Sequence, residues 1–349
     1  MTMKQLAKYS FLFVFSILWI VGCHPTLRRT AFEWGLTKDS YRYGDLYRLS
    51  NLAQFKQTTE TCPKKFAKNH SKNNTALYII GDSFTENERI NADDFKTNGY
   101  IRIHWNDSLH ISLDTTKRNI LVLQTVERHF REHFAVPVHQ FIIKNERYFA
   151  LESPKNSEAQ KTNIQASDFF LAMYKDAEQV LKESEESLAS FLFSADTFLY
   201  LKEWKAAINL NWFGRHNDQI ALSPDKKNIL FCWDTDSTRI TSSFNYFPDS
   251  ELQNLIRQVN QTRAYYKKQG FDEVYLSIIP NKTSIVAPKM GRYNHLVERV
   301  QQNSMLKTPF IDSWTPFVQH SQEVYSLSDT HWNCKGQAMW LEAVNHYLK

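Results

Sequence analysis

The sequence predicts an α/β fold built around a mainly parallel sheet. Three short apolar runs, at residues 76–80, 100–105 and 119–126, are typical of strands buried on both faces of such a sheet. Polar or helical patterns separate these runs, and a fourth run at 274–279 follows a helical pattern. The alternation favours consecutive β/α units.

Composition argues against a disordered chain and against a nucleic-acid-binding protein. With 349 residues and 42% hydrophobic content, the chain can bury one large core with an insertion, or two small cores. Its 42 basic and 37 acidic residues lack the clustered basic run that nucleic-acid binding needs. The 24 Phe, 16 Tyr and 9 Trp favour packed structure and provide rings that can stack on sugars.

Residues 1–22 have the layout of a signal peptide. Lys4 and Lys8 precede an apolar run at 11–21, which stops at Gly22 and Cys23. Because the run is shorter than the roughly 20 residues that cross a bilayer, we expect a cleaved signal rather than a permanent anchor. Either alternative exports the rest of the chain.

Residues 20–23 (Ile-Val-Gly-Cys) resemble the bacterial lipobox, in which the cysteine is acylated and becomes the first mature residue. The resemblance implies lipidation of Cys23 and attachment to a membrane, in the periplasm or at the cell surface. An uncleaved signal anchor with an incidental cysteine is the alternative. The remaining Cys62, Cys232 and Cys334 can form at most one disulfide within the chain.

The chain beyond the signal divides into a polar lead-in and a large domain. We expect a lipidated tether and lead-in at 23–75 and the main domain at 76–349, with an insertion at 151–248. Within the insertion, apolar spacing predicts helices at 167–190 and 191–211. A hairpin at 220–233 would turn at Pro224, Asp225 and Lys226.

The β/α rhythm resumes after the insertion. The predicted elements are a helix at 250–269 capped by Gly270, a strand at 274–279 ended by Pro280, a short strand at 309–312 and a helix at 335–347.

Ser83 is the first candidate catalytic residue. It follows Gly81 and Asp82 directly after the first predicted strand, and the pattern at 85–95 predicts a helix behind it. At a helix N terminus, free backbone amides and the helix dipole can stabilise an oxyanion during acyl transfer. The alternative is an ordinary turn in which Ser83 only caps the helix.

Asp329 and His331 lie near the other end of the chain. A serine hydroxyl needs a base to remove its proton, and a carboxylate must hold that base in one tautomer. One loop could supply both groups. The alternative is an aspartate that caps the last helix beside a structural histidine.

Together the two segments resemble the SGNH (GDSL-like) hydrolase superfamily, in which a serine after the first strand meets an aspartate and a histidine before the last helix. Residues 329–332 (Asp-Thr-His-Trp), followed by Gly336, are most similar to its alginate O-acetyltransferase-like branch, where one residue separates aspartate and histidine. In the alginate enzymes that segment precedes the serine, whereas here it follows. The superfamily's glycine and asparagine after the third strand are replaced by residues 124–128.

The resemblance implies a flavodoxin-like three-layer sandwich and a division of roles. Ser83 would be the nucleophile, His331 the general base and Asp329 the residue that orients it. Asp82 and Trp332 belong to the two matching segments and are candidates for substrate or oxyanion contacts. The resemblance further implies a carbohydrate substrate and a membrane-bound protein that supplies the acyl group, without any cofactor.

Three further candidates follow the ends of predicted strands, where ligands gather in open α/β sheets. Arg128 comes after the third strand and could stabilise an anion or orient substrate, unless it pairs with Glu127. Asn281 and Lys282 follow the strand at 274–279.

A zinc site is the rival hypothesis. His129, Glu132 and His133 have the spacing of an inverted zinc-protease motif. Zinc would need a further ligand, and the sequence offers none in a convincing helical context, so solvated histidines and no bound metal are expected.

The sequence therefore predicts an extracytoplasmic, serine-dependent O-acyl (acetyl) transferase that acts on a surface or cell-envelope polysaccharide. A carbohydrate O-acetyl esterase and a non-catalytic carbohydrate-binding lipoprotein are the alternatives.

Overall fold

The structure of the protein is a computed structural model that describes residues 2–23, 25–39, 41–64, 73–143 and 196–348. The chain divides into two compact units. One contains Met1–Tyr43, Asn51–Gln54 and Glu152–His216, and the other contains Gly44–Ser50, Phe55–Leu151 and Asn217–Lys349. The predicted helix at 167–190 lies outside the described residues.

The described helices are numbered in chain order: α1 (Met3–Cys23), α2 (Pro25–Glu33), α3 (Asp45–Ser50), α4 (Glu127–His133), α5 (Asp196–Phe213), α6 (Cys232–Thr235), α7 (Asp249–Lys268), α8 (Lys282–Val286), α9 (Leu296–Gln301), α10 (Trp314–Gln319) and α11 (Cys334–Tyr347). The described strands are β1 (Asn73–Gly81), β2 (Thr97–His104), β3 (Leu109–Ile111), β4 (Arg118–Val126), β5 (Phe141–Ile143), β6 (Ile220–Leu222), β7 (Ile229–Phe231) and β8 (Glu273–Ile279).

A four-stranded parallel sheet in the order β2-β1-β4-β8 forms the centre of the second unit. Alternate residues of a strand point to opposite faces. Tyr78 and Ile80 of β1 therefore join a core that includes Ile256 of α7, whereas Ile79 joins a separate core that includes Trp340 of α11. Helices thus cover both faces of the sheet, and the predicted three-layer α/β fold is confirmed.

Most predicted elements appear within one to three residues of their expected ends. The four sheet strands, the hairpin β6–β7, helix α7 and helix α11 are confirmed. Gly270 follows α7 with a φ of 107°, a conformation that glycine adopts without strain. The strand at 309–312 is reduced to one bridge between Phe310 and Leu276.

The helix predicted at 85–95 is wrong. Two 3-10 turns, at Ser83–Thr85 and Ala92–Asp94, occupy this segment instead. The Asn91 side chain accepts a hydrogen bond from the backbone of Asp93, and the Asp94 side chain accepts one from the backbone of Asn91. These short polar side chains satisfy the backbone locally and so compete with a continuous helix.

The N-terminal helix is longer than the apolar run suggested. Among the described residues, Met3–Gly22 forms one helix that is long and apolar enough to cross a membrane. The length argument against an anchor is therefore wrong, because residues 3–10 extend the helix. A signal sequence and a membrane anchor are both compatible with α1.

Residues 217–248, which the sequence assigns to the insertion, belong to the same compact unit as the sheet. The hairpin β6–β7 and helix α6 are part of this unit. As a result, residues from this segment can contribute to the candidate site.

Candidate active site

The turn that carries Ser83 is built on a close approach between β1 and β4. A Cβ atom on Gly81 would lie only 2.1 Å from Thr85 Oγ1 and 2.7 Å from Gln124 Oε1, so only glycine fits there. Gln124 Oε1 accepts hydrogen bonds from the Asp82 backbone amide and from Thr85 Oγ1, both at 3.0 Å. The side chain of Gln124 thus fixes the chain on both sides of Ser83.

The buried Asp82 carboxylate supports the same turn. It accepts hydrogen bonds from the backbone amides of Phe84 (3.0 Å) and Val126 (2.6 Å) and from Gln124 Nε2 (2.9 Å). A carboxylate with these three donors is already engaged and cannot donate to an oxyanion. Asp82 therefore holds the Ser83 turn. It also lines the cleft beside Ser83, so its contact with substrate stays a prediction.

Ser83, His331 and Asp329 form a continuous hydrogen-bonded chain. Ser83 Oγ lies 2.8 Å from His331 Nε2, and His331 Nδ1 lies 2.5 Å from Asp329 Oδ1. The backbone amide of His331 also donates to Asp329 Oδ1 at 2.8 Å. These are the distances over which a histidine can take a proton from a serine while a carboxylate fixes its tautomer.

Gly336 and Asn333 fix the loop that carries His331 at the start of α11. The Asn333 side chain accepts hydrogen bonds from the amides of Lys335 and Gly336. A Cβ atom on Gly336 would lie 2.4 Å from the Val324 carbonyl oxygen and 2.8 Å from Trp332 Cβ. The glycine is therefore needed because the helix begins against the preceding backbone.

Lys282 supports this loop from the end of β8. Its fully buried ammonium group donates to the carbonyl oxygens of Ser326 (2.6 Å), Leu327 (2.9 Å) and Asp329 (3.3 Å). Burial lowers the pKa of Lys282 to about 7, and the carboxylates of Asp45 and Asp329 oppose that shift. Lys282 was predicted as a substrate or oxyanion contact, but its donors are used to position the loop.

Asp45, at the start of α3, is a second carboxylate beside His331 that the sequence analysis missed. It accepts hydrogen bonds from the Thr330 amide (2.8 Å) and from Thr330 Oγ1 (2.6 Å), and its Oδ2 lies 3.9 Å from His331 Nδ1. Its own amide donates to Asp329 Oδ2 at 3.3 Å. Asp45 thus binds and positions Thr330, the one residue between Asp329 and His331.

The two carboxylates have opposite shifts in acidity. Burial alone would raise the pKa of Asp329, but its hydrogen bond to His331 and the charge of that ring outweigh burial and place its pKa well below the usual range. Burial and the negative charge of Asp329 raise the pKa of Asp45. Asp329 therefore keeps its charge beside His331, as a residue that orients a general base must.

The segment around Asp45 contacts the loop that carries His331 at several further points. The amides of Leu46 and Tyr47 donate to the Ser328 carbonyl oxygen, both at 3.0 Å. A disulfide joins Cys62 to Cys334, the first residue of α11. Cys232 is the remaining free thiol, which agrees with the expectation of at most one bridge.

Arg128 lies with Ser83 in the lining of one cleft of about 290 Å³, together with His104, Asn106 and Thr330. Its guanidinium lies 3.2 Å from the buried Asp234 carboxylate, and its side chain is only 10% exposed. Neither Arg128 Nη2 nor the Asp234 carboxylate has a hydrogen-bond partner among the described residues, so the contact is an ion pair without a hydrogen bond. The ion pair is formed with Asp234 rather than with the alternative partner Glu127.

Glu127 and Asn281 form a buried polar network behind Arg128. Glu127 Oε2 accepts hydrogen bonds from the Asn281 amide (2.8 Å) and from Ser284 Oγ (2.6 Å). Asn281 Oδ1 in turn accepts from the Arg128 amide at 3.1 Å. Burial raises the pKa of Glu127 to about 7. Asn281 thus positions the Arg128 backbone, and its predicted contact with substrate is not supported.

Trp332 lies in the core rather than in the cleft. Its ring centroid is 5.0 Å from that of Phe84 and 5.5 Å from that of Trp340. Phe84 in turn packs 4.7 Å from the His331 ring, so Trp332 supports the wall behind the histidine. Its predicted role as a substrate contact is not supported.

The histidines of the zinc hypothesis pack as rings. His133 stacks on Trp105 with a centroid distance of 4.1 Å, and its Nδ1 lies 2.7 Å from Thr125 Oγ1. Burial lowers the pKa of His133 to about 3, which keeps its ring neutral. Among the described residues, the group of three whose ligand atoms lie close enough for a metal is Asp45, Asp329 and His331. His129 and His133 belong to no such group in the described chain.

The backbone amide of Ser83 can stabilise an oxyanion in the cleft. The Ser83 amide donates no hydrogen bond to any of the described residues, so it can donate to an oxygen that develops charge beside Ser83 Oγ. Arg128 lines the same cleft, although its guanidinium already forms an ion pair with Asp234. A comparison of the chain with protein-family models, curated proteins and solved structures gives no match.

Proposed function

We propose that this protein is an extracytoplasmic, serine-dependent O-acyltransferase of the SGNH type that places acetyl groups on hydroxyls of a surface or cell-envelope polysaccharide. The observation that carries the proposal is the 2.8 Å contact between Ser83 Oγ and His331 Nε2, with Asp329 on the other ring nitrogen. The residues come from positions 248 apart in the chain. A histidine with only a structural role would not require a serine hydroxyl on one ring nitrogen and a carboxylate on the other.

The proposed reaction has two steps, acylation of Ser83 and transfer of the acyl group to the acceptor. His331 takes the Ser83 proton while Ser83 Oγ attacks the donor carbonyl, and the Ser83 amide donates to the negative oxygen. The tetrahedral intermediate then expels the donor's leaving group, which receives the proton from His331. A sugar hydroxyl gives its proton to His331, attacks acyl-Ser83 and takes the acyl group, and Ser83 recovers a proton.

A carbohydrate O-acetyl esterase would use the same residues, with water in place of the sugar hydroxyl. The two activities differ only in which acceptor reaches acyl-Ser83 first. The resemblance of the Asp-Thr-His-Trp segment to acetyltransferases favours transfer. A membrane-bound protein that delivers the acyl group is part of the same resemblance.

Ester turnover tests the proposal directly. Purified protein should hydrolyse p-nitrophenyl acetate, and Ser83→Ala should lower kcat/KM by about 10³-fold or more, because the nucleophile is lost. Ser304→Ala removes an exposed serine and is the matched control, with unchanged kinetics expected. Equal rates for wild type and Ser83→Ala would leave a non-catalytic carbohydrate-binding protein as the remaining alternative.

The acyl enzyme and its acceptor can be measured in the same system. Acid quenching followed by peptide mass spectrometry should find an acetyl group on the Ser83 peptide. Adding methyl glucoside as acceptor should then divert acetyl groups from free acetate to the sugar ester. Acetate as the sole product at high acceptor concentration would identify an esterase instead.

We further propose that Cys23 is lipidated and holds the mature protein at the membrane. The apolar helix α1 ending at Cys23 supports this location. Mass analysis of the mature N terminus should find a diacylated Cys23, whereas a retained α1 would identify an uncleaved anchor.

A further inference from the structure

Helix α5, in the unit that also contains α1 and α2, exposes an apolar face at helical spacing. At about 100° per residue, Tyr200, Trp204 and Trp212 fall within an arc of about 120° on the surface of the helix. They are 68%, 61% and 77% exposed, and Leu201 beside them is 55% exposed. No residue of this 18-residue helix is buried. Exposed patches of large rings on a folded chain mark contact surfaces.

Two ion pairs attach the start of α5 to the N-terminal segment. Asp196 accepts hydrogen bonds from Lys38 Nζ at 2.7 Å and from Arg42 Nη2 at 2.6 Å. Lys38 follows Cys23 by 15 positions, of which α2 takes nine. With nine helical residues and the rest fully extended, this stretch spans at most about 35 Å. The start of α5 therefore stays within that distance of the membrane to which residue 23 would be attached.

The side chains of α5 suit the boundary between lipid and water. Trp and Tyr rings are enriched at that depth, because each has an apolar body and one polar group. The helix carries Asp196, Lys202, Glu203 and Lys205, so its formal charges cancel. Contact with lipid would therefore depend on apolar area and not on attraction to anionic headgroups.

We propose that α5 lies on the membrane surface, with Tyr200, Leu201, Trp204 and Trp212 in the interfacial layer of the bilayer. The lipid anchor or helix α1 would supply the first attachment, and α5 a second. This second attachment would restrict how far the chain can tumble above the lipid. The inference concerns the orientation of the protein at the membrane and does not depend on acyl transfer.

Quenching by brominated lipids tests the proposal on the full chain. Wild type and Trp204→Phe/Trp212→Phe are reconstituted in phosphatidylcholine vesicles, and the difference between their emission spectra isolates the two rings. Bromine near the headgroup end of the acyl chain should reduce this difference signal by about two-fold or more. The same reduction is expected at high salt, because the charges on α5 cancel.

Trp233→Phe is the matched control, since Trp233 is 45% exposed but belongs to the other compact unit. Its difference signal should not respond to bromine. The proposal is overturned if the Trp204 and Trp212 signal is insensitive to brominated lipid, whether the rings remain open to acrylamide or are covered by protein. Ester turnover by the double variant should equal that of wild type, which separates this test from that of the catalytic proposal.

Discussion

The turn that carries Ser83 and the loop that carries His331 are held in place by different parts of the chain. Ser83 is fixed by Asp82 and Gln124, which lie on or beside neighbouring strands of the sheet. The His331 loop is fixed by Lys282, by Asp45 and by the disulfide between Cys62 and Cys334. The contacts that hold Ser83 therefore come from the ends of adjacent strands, whereas those that hold His331 come from segments far apart in the chain.

Substitutions in the Ser83 turn should therefore lower the free energy of unfolding of the sheet. Substitutions in the His331 loop should lower kcat/KM by more than their effect on the free energy of unfolding would suggest. The Asp82 contacts in the Ser83 turn reach at most 44 positions along the chain, whereas Asp45 binds the His331 loop across 285 positions.

Asp82→Ala should have the largest effect on stability. It leaves three buried donors without an acceptor: the amides of Phe84 and Val126 and the Gln124 side chain. We expect the free energy of unfolding to fall by about 4 kcal/mol, measured by urea denaturation. Asp93→Ala, at an exposed position in the following turn, should change it by less than about 0.5 kcal/mol. Similar small losses for both variants would show that the carboxylate does not hold the turn.

Removing the disulfide should weaken the attachment of the loop that carries His331. Cys62→Ser combined with Cys334→Ser releases the bridge that joins the lead-in to α11. The expected loss of unfolding free energy is about 3 kcal/mol. Ester turnover should also fall under conditions where the variant is still folded, as checked by circular dichroism. Cys232→Ser alters the free thiol and is the control; turnover unaffected by loss of the bridge would contradict a role in holding the loop.

Glu127, at the start of α4, binds Asn281 and Ser284 and should make the stability of the protein depend on pH. Its pKa is raised from 4.5 to about 7 in the folded protein, so the protonated acid is favoured there. Stability is fully present below pH 4.5 and is lost as pH rises through 7, by up to about 3 kcal/mol. Thermal melts from pH 4.5 to 8 should show this decline in wild type. The Glu127→Gln side chain cannot ionise, so the melting temperature of this variant should change less with pH. If the melting temperatures of the two proteins fall in parallel, Glu127 is not the cause of the decline.

Asp45→Asn should have the smallest effect, confined to catalysis. Its loss removes a negative charge 3.9 Å from His331 Nδ1 and weakens the contact with Thr330. We expect kcat/KM to fall by about 10-fold. The kinetics of the variant are compared with those of wild type at one pH, with the free energy of unfolding measured beside them.

Thr330→Val serves as the control for Asp45, because it removes the hydroxyl contact and keeps the charge. It should lower kcat/KM by less than Asp45→Asn does. If both variants lower kcat/KM equally, Asp45 acts only through Thr330.

Local patterns predicted the sheet and its order of elements well. The apolar runs of β1, β4 and β8 are continuous because both faces of these strands are buried, and that signature survives in any context. The segment after Ser83 was misjudged, because Asn91 and Asp94 stabilise turns that compete with the expected helix. Asn281 and Lys282 were correctly placed at a strand end, but that position does not decide which way a side chain points.

Local patterns were enough to predict the α/β class, the strand end that carries Ser83 and the Asp-Thr-His loop, because each is written within a few neighbouring residues. Four contacts became visible only in the folded chain: Asp45 with Thr330, Lys282 with the loop carbonyls, Cys62 with Cys334, and Arg128 with Asp234. These partners are separated by up to 285 positions. Contacts over such distances form when segments pack, and no local spacing encodes them.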